Sequence, residues 1–230
     1  MKKIIAIMVM FGMAINFAFS QTSIETKSTE TNKVVAAESE QTETQNFTSI
    51  GTNWVGAGMG FAFQTDTGIL GYVEGQYNVY KFNDFNLDVR AGAEYSDMST
   101  QTFNLGIDML PSYTFYNYKG VDMAVFADVG VGYGTLWYDS DGYSMISYKL
   151  GVGMEFSYDS VYARPFYNWV NYDPFNNYST VRNHVVGIEL GWNFEENWAA
   201  VVSYSHWFAE DEYSVNDNED RLTFGVRFSF

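Results

Sequence analysis

The last ten residues of the chain alternate strictly between large apolar side chains and polar or small ones. The apolar positions are Leu222, Phe224, Val226, Phe228 and Phe230, and the positions between them are Arg221, Thr223, Gly225, Arg227 and Ser229. A period of two puts these two sets on opposite faces of a β-strand. The termini of soluble domains are normally frayed and polar. An apolar row that continues to a final phenylalanine therefore predicts a strand with one face against an apolar phase.

The same alternation recurs nine times between Gly51 and this final strand, with turn residues between the runs. A spacing of roughly 18 residues per run fits a membrane-crossing strand of ~9–11 residues plus its connection. Most connections alternate between tight turns and longer, more polar loops. We predict an all-β fold over residues 51–230, a transmembrane antiparallel up-and-down β-barrel of ten strands. A barrel of eight strands is the alternative, and it would require two clear hairpins to merge.

If the apolar face meets lipid, the polar face fills the lumen of the barrel. The charged side chains with inward parity are Glu74, Asp88, Arg90, Glu94, Asp108, Asp122, Asp128, Lys149, Glu155, Arg164, Glu189, Arg221 and Arg227. Because charges of both signs are confined in a closed barrel, each needs a partner or water. Two interpretations stay open. The charges form a paired, hydrogen-bonded plug, or they line a narrow wet path that favours cations.

Four of the six tryptophans combine outward parity with a position near a strand end, where an aromatic girdle belongs. They are Trp137, Trp169, Trp192 and Trp198. Trp54 and Trp207 also lie near strand ends, but their parity is inward and they fit a girdle less well. Pro111 continues the outward row of the fourth run. Since proline lacks the donor that a strand ladder needs, we expect a bulge or local bend there.

The composition narrows the function further. Aromatic residues make up 19% of the chain, which suits the interfacial belts of a barrel. The absence of cysteine excludes a disulfide framework and thiolate chemistry. A net charge of −16 predicts no nucleic-acid binding. Gly56, Gly58 and Gly60 lie within a strand and open no helix, so they are not a dinucleotide loop. We predict no cofactor and no metal.

The N-terminal residues predict export. Lys2 and Lys3 precede a short apolar stretch, and Ala18 and Ser20 are small residues at the spacing of a cleavage site. We therefore predict a cleaved secretory signal over residues 1–20. Residues 21–50 are rich in Thr, Ser, Glu and Gln, and they have too little apolar surface to offset the entropy of ordering. We predict that they form a disordered polar tail in the periplasm.

The leader, the alternation, the asymmetry of turns and loops, and the terminal Phe230 together resemble small bacterial outer-membrane β-barrel proteins, the group of OmpA-type and porin-like barrels. The resemblance implies residence in the outer membrane and contact with its lipid. It also implies that the barrel-assembly machinery reads Phe228 and Phe230 as part of the insertion signal.

The same resemblance implies a non-enzymatic, porin-like barrel with a narrow or plugged channel, or another envelope protein. The alternative function is that of a surface adhesin or partner-binding barrel. Its extracellular loops would then carry the binding surface, at residues 138–143, 173–182 and 209–220.

A third interpretation is an enzyme at the outer rim of the barrel. Ser205 and His206 lie next to an acidic stretch that begins at Glu210, so a nucleophile, a base and a carboxylate are all close in sequence. His206, however, has outward parity, and Ser205 points to the opposite face. No nucleophile elbow accompanies them. We therefore predict that the protein is not an enzyme.

Overall fold

The structure, a computed structural model, describes residues 48–64, 67–97, 101–138, 141–175, 180–210 and 218–230. The predicted leader and all but the end of the predicted tail lie outside these residues. Ten strands follow one another along the chain: β1 (Trp54–Phe63), β2 (Thr67–Phe82), β3 (Phe85–Asp97), β4 (Gln101–Tyr118), β5 (Val121–Tyr138), β6 (Asp141–Tyr158), β7 (Val161–Pro174), β8 (Val181–Glu195), β9 (Trp198–Glu210) and β10 (Glu219–Ser229). None of the described residues forms a helix long and apolar enough to cross a membrane.

Each strand pairs antiparallel with its neighbours in sequence, and β1 closes the ring against β10. The closing register runs from Trp54 opposite Ser229 to Phe63 opposite Asp220. The final alternating strand is therefore the one that seals the barrel. The prediction of ten strands is confirmed, and the alternative of eight is wrong.

The two ends of the barrel differ in their connections. Residues 83–84, 119–120, 159–160 and 196–197 form two-residue turns at one end, which we call the turn end. Asn83, Lys119 and Asp159 adopt φ values of 51° to 52° there, and Gly120 has a φ of 75°. Positive φ is what the twist of a tight hairpin requires. The opposite end, which we call the loop end, carries the remaining connections. The one between β5 and β6 has only two residues, shorter than predicted, and those after β7 and β9 have six and eight.

The outer surface is apolar around the described part of the ring. Large side chains stay exposed on every strand, for example Phe61 on β1, Ile107 on β4, Leu190 on β8 and Phe224 on β10. An exposed apolar surface of this extent is expected of a barrel that faces lipid, because polar neighbours fill the inside.

Pro111 does not produce the predicted bulge. The register between β4 and β5 is the same at Met109 and at Ser112, so the chain passes the proline without a shift, although the pairs at positions 110 and 111 are missing. The shift lies farther along, between Thr114 and Tyr116. A proline on the outward face thus interrupts two pairs of the ladder without inserting an extra residue.

Residues 48–50 lie inside the barrel and do not belong to a disordered tail. Ser49 is 2% exposed and Ile50 is 6% exposed. Ile50 packs with Leu110, Ala124 and Phe126 into an apolar cluster on the lumen side of β4 and β5. The boundary predicted at residue 50 therefore falls too late, because a short polar stretch can be ordered by partners that are distant in sequence.

Candidate functional site: the charged lumen

The thirteen charged residues predicted to face the lumen all lie on strands of the described barrel. Asp88, Asp128, Glu155, Arg164 and Arg227 are buried. The other eight, which are Glu74, Arg90, Glu94, Asp108, Asp122, Lys149, Glu189 and Arg221, are half-buried. Most of them meet in four clusters, which we describe from the middle of the lumen outward.

Arg227 on β10 forms the central cluster. Its guanidinium donates two parallel hydrogen bonds of 2.8 Å to the Glu189 carboxylate on β8. It also pairs with Glu74 on β2 at 3.0 Å and donates to the hydroxyl of Tyr162 on β7. A bidentate arginine–carboxylate pair is strong and geometrically specific. Because its partners lie on three other strands, Arg227 ties the two sides of the closing seam across the lumen.

A second cluster occupies the wall formed by β3 to β6. Asp108 and Asp128 each accept from both Arg90 and Lys149, over distances of 2.6 to 3.3 Å. The inward glycines make this grouping possible. A Cβ atom on Gly130, for example, would lie only 2.0 Å from the Asp108 carboxylate. Two cations and two carboxylates balance in charge, as confined charges in a lumen require.

The third cluster lies toward the loop end and is more open. Arg221 on β10 pairs with Glu94 on β3 at 2.8 Å and with Glu219 two residues before it. The Glu94 side chain is 32% exposed, which makes it the most accessible acidic partner in these clusters.

The fourth cluster lies near the turn end and holds residues 48–52, which we call the N-terminal plug. Glu155 on β6 accepts from the hydroxyls of Thr48 and Ser49 and from the Ser49 amide, the last at 3.0 Å. Arg164 on β7 donates to the Ser49 hydroxyl at 3.2 Å. Two lumen charges therefore hold one serine that is almost fully buried.

Two further strands hold the N-terminal plug from the other side. The side-chain amide of Gln76 on β2 donates to the Ser49 carbonyl at 2.6 Å. Asp88 on β3 accepts from the Gly51 amide at 2.9 Å and from Asn78 at 2.7 Å. Gly51 has a φ of 71°, a conformation that favours glycine, and a Cβ there would lie 2.7 Å from the Asn86 side chain. The fit is therefore specific to glycine.

Aromatic rings cover three of the lumen arginines, a feature that the sequence did not reveal. The Arg227 guanidinium stacks 4.0 Å from the Trp54 ring, and that of Arg221 stacks 4.0 Å from the Trp207 ring. Arg164 lies 4.1 Å from the Phe126 ring. The inward parity of Trp54 and Trp207 was the one sequence signal that these rings face the lumen. Which charge each ring would meet depends on register across several strands.

A cavity of about 260 Å³ lies in the half of the lumen toward the loop end. Side chains from the second and third clusters line it, together with Tyr72, Tyr172 and Trp207. At about 30 Å³ per water molecule, a space of this size has room for several waters. We call it the vestibule, and residues 48–52 lie in the half of the lumen toward the turn end.

Ser205 and His206, two of the predicted rim residues, lie on opposite faces of β9, and the acidic stretch that begins at Glu210 lies mostly outside the described residues. The His206 ring and the Tyr204 hydroxyl both contact Asp220, at 2.7 and 2.6 Å, on the outer face. Ser205 is buried on the inner face, where its hydroxyl accepts from Trp207. The described chain thus keeps the serine and the histidine on opposite sides of the wall.

The predicted girdle tryptophans lie on the outer surface. Trp137, Trp192 and Trp198 are exposed, and Trp169 is half-buried. The Trp198 ring packs 5.1 Å from that of Phe228, one of the two predicted signal residues, so the last strand contributes to the aromatic surface at the turn end. The predicted binding loops at 138–143, 173–182 and 209–220 lie partly outside the described residues.

No family model matches the chain, and no curated protein matches it. Solved structures do. The N-terminal β-barrel domain of Pseudomonas aeruginosa OprF is 13% identical, with a TM-score of 0.39 over 81% of this chain and 100% of that one. The transport unit of the Escherichia coli autotransporter AIDA-I is 10% identical, with a TM-score of 0.48 over 85% and 93%.

The outer membrane protease OmpT from Escherichia coli is 9% identical, with a TM-score of 0.41 over 82% of this chain and 100% of that one. These structures carry different activities on related architectures, so likeness to them does not choose a function. The chain is an outer-membrane type of β-barrel by its own geometry, which combines a closed antiparallel ring, an apolar outer face and a polar lumen.

Proposed function

We propose that the protein is a narrow, cation-favouring channel of the outer membrane that the N-terminal plug keeps closed at the turn end. The burial of Ser49, held by Glu155, Arg164 and Gln76, carries this proposal. A segment fixed by side chains from three strands blocks solute passage at that end. The cavity in the loop-end half of the lumen also favours this proposal, because it leaves space for solutes on that side of the N-terminal plug.

The charge of the four clusters supports a preference for cations. They contain eight carboxylates, from Glu74, Asp88, Glu94, Asp108, Asp128, Glu155, Glu189 and Glu219, against the five cations of Arg90, Lys149, Arg164, Arg221 and Arg227. Fully ionised, these groups carry a net charge of −3. A confined lumen with that charge attracts cations and repels anions.

Conductance in planar lipid bilayers tests the proposal. We expect the wild-type barrel to be nearly silent and Gly51→Val to conduct, because a branched side chain is strained at a φ of 71° and meets Asn86. This change leaves every lumen charge in place. In a potassium chloride gradient, the reversal potential of the variant should show selectivity for potassium.

Gly75→Val is the matched control. Gly75 lies on β2 with outward parity, and the nearest atom to a Cβ there would be 3.4 Å away, which is ordinary contact. We expect this variant to stay as silent as the wild type. A folded Gly51→Val barrel that does not conduct, or one that prefers chloride, would contradict the proposal.

A further inference from the structure

The vestibule contains hydrogen-bonding groups that the protein itself does not use. Asn104 on β4, Ser147 on β6 and Tyr172 on β7 line it. Among the described residues, none of these three side chains has a hydrogen-bond partner. Ser147 and Tyr172 lie opposite one another in register, and Asn104 approaches from the neighbouring wall. An amide and two hydroxyls, which can both donate and accept, therefore face the same cavity from three strands.

The charged side chains around the vestibule are already paired. Three carboxylates and three cations line it, and each forms an ion pair. They are Glu74, Glu94 and Asp108, and Arg90, Lys149 and Arg221. The excess of carboxylates among the four clusters comes from groups outside this lining. An ionic solute would find no unpaired charge here, and a confined charge without a partner is costly. The free hydrogen-bonding groups of the vestibule are therefore neutral.

One wall of the vestibule is flat. Gly92, Gly106 and Gly132 line it and lie in one row across β3, β4 and β5. Gly106 is exposed to the cavity, and a Cβ there would have only the Val131 carbonyl oxygen nearby, at 3.8 Å. Trp207 on β9 lines the opposite side of the lumen, five strands away around the ring. The cavity therefore has a backbone surface without side chains on one side and an indole ring on the other.

We propose that the vestibule binds a neutral sugar ring, a hexopyranose. Its hydroxyls donate and accept, so they match the free amide and hydroxyls, and they match paired charges that retain lone pairs and N–H groups. Its C–H faces are apolar and match the glycine row and the Trp207 ring. The volume of about 260 Å³ lies just below that of pockets for drug-sized ligands, which suits one ring. This binding does not require the barrel to conduct, so it stands apart from the proposed channel.

Saturation-transfer difference NMR tests the proposal. The full-length barrel in lipid nanodiscs is titrated with the methyl α-glycosides of glucose, galactose and mannose. We expect saturable transfer of magnetisation from the protein to at least one of the three. Methyl glucuronoside and tetramethylammonium carry one negative and one positive charge, and they should bind about tenfold more weakly than that glycoside, because an added charge has no unpaired partner in the cavity.

Gly106→Leu should abolish the transfer, because its side chain enters the open space of the vestibule. Gly75→Leu, the same change on the outward face of β2, is the matched control and should bind like the wild type. Tyr172→Phe removes one hydroxyl and should weaken binding about fivefold. If Gly106→Leu fails to fold, Tyr172→Phe decides.

Three outcomes would overturn the proposal. They are the absence of saturable transfer to all three glycosides, binding of either charged probe as tight as that of the best glycoside, and binding that both Gly106→Leu and Tyr172→Phe leave unchanged.

Discussion

The two halves of the lumen use the same residue types in opposite ways. Near the turn end, Asp88 and Glu155 are at most 2% exposed, and both accept hydrogen bonds from the N-terminal plug. Toward the loop end, the Lys149 and Glu94 side chains are 22% and 32% exposed and face a cavity. Confined charge therefore does not by itself fill a lumen. Residues 48–52 fill it where Asp88 and Glu155 hold them, whereas a cavity remains beside the pairs that Lys149 and Glu94 form.

Burial also sets what each charge contributes to stability. In a buried ion pair, each charge depends on its partner, because water cannot solvate the charge that remains when the partner is removed. When a pair borders a cavity that admits water, removal of one partner lowers stability less, because water solvates the remaining charge. Equivalent substitutions in the two regions should therefore differ in cost, and that difference can be measured.

The largest effect is expected from Arg227→Met. The substitution keeps an apolar stem against Trp54 but leaves Glu189 and Glu74 without their cation, and the Arg227 side chain is only 5% exposed. We expect the free energy of unfolding to fall by about 3–5 kcal/mol. Urea titration of the barrel in lipid vesicles measures it. A loss below about 1 kcal/mol, the cost of a surface pair, would show that water solvates the two carboxylates at the centre of the lumen.

A smaller effect is expected from Arg221→Met, which is the matched change in the loop-end cluster. Glu94 and Glu219 both lose their cation, but Glu94 on β3 is partly exposed and lines the vestibule, where water can solvate it. We expect a loss of about 1–2 kcal/mol in the same titration. If both arginine variants lost equal stability, the contrast between the two halves of the lumen would not hold.

The strands and their faces could be predicted from sequence because a period of two is a local property. The outward row of β10, which includes Phe228 and continues to Phe230, could be predicted without knowledge of any partner strand. The same parity assigned the thirteen predicted lumen charges to the inner face and separated Trp54 and Trp207 from the girdle. Glu219 was missed, because it falls within the loop predicted at residues 209–220. Local pattern also predicted the tight turns that join the strands at one end of the barrel.

The N-terminal plug could not be predicted in this way. Thr48 and Ser49 have the composition of a solvated tail, and the carboxylate that orders them, Glu155, lies 106 to 107 residues away in sequence. The available local signal was Ile50 followed by Gly51, immediately before the first strand. The stacking of Arg227 on Trp54 is hidden for the same reason, since it requires β1 and β10 to meet at the closing seam.

The pairing of Pro111 shows a limit of a different kind. Proline does remove a donor from the ladder, as expected, but the outward row stays in register because no residue is inserted. The register shift between Thr114 and Tyr116 occurs where the sequence has no proline that would predict it. A bulge needs an extra residue on one strand, and composition alone does not show where that residue is.

The rate at which a reagent reaches position 49 tests whether residues 48–52 close the lumen. The chain has no cysteine, so Ser49→Cys and Glu196→Cys each carry one thiol, the first in the N-terminal plug and the second exposed in the β8–β9 turn at the same end of the barrel. A charged, membrane-impermeant maleimide should react with position 49 about a hundredfold more slowly than with position 196, because local opening must come first. In Gly51→Val the two rates should approach each other. Equal rates in the otherwise unchanged barrel would contradict a lumen that residues 48–52 close.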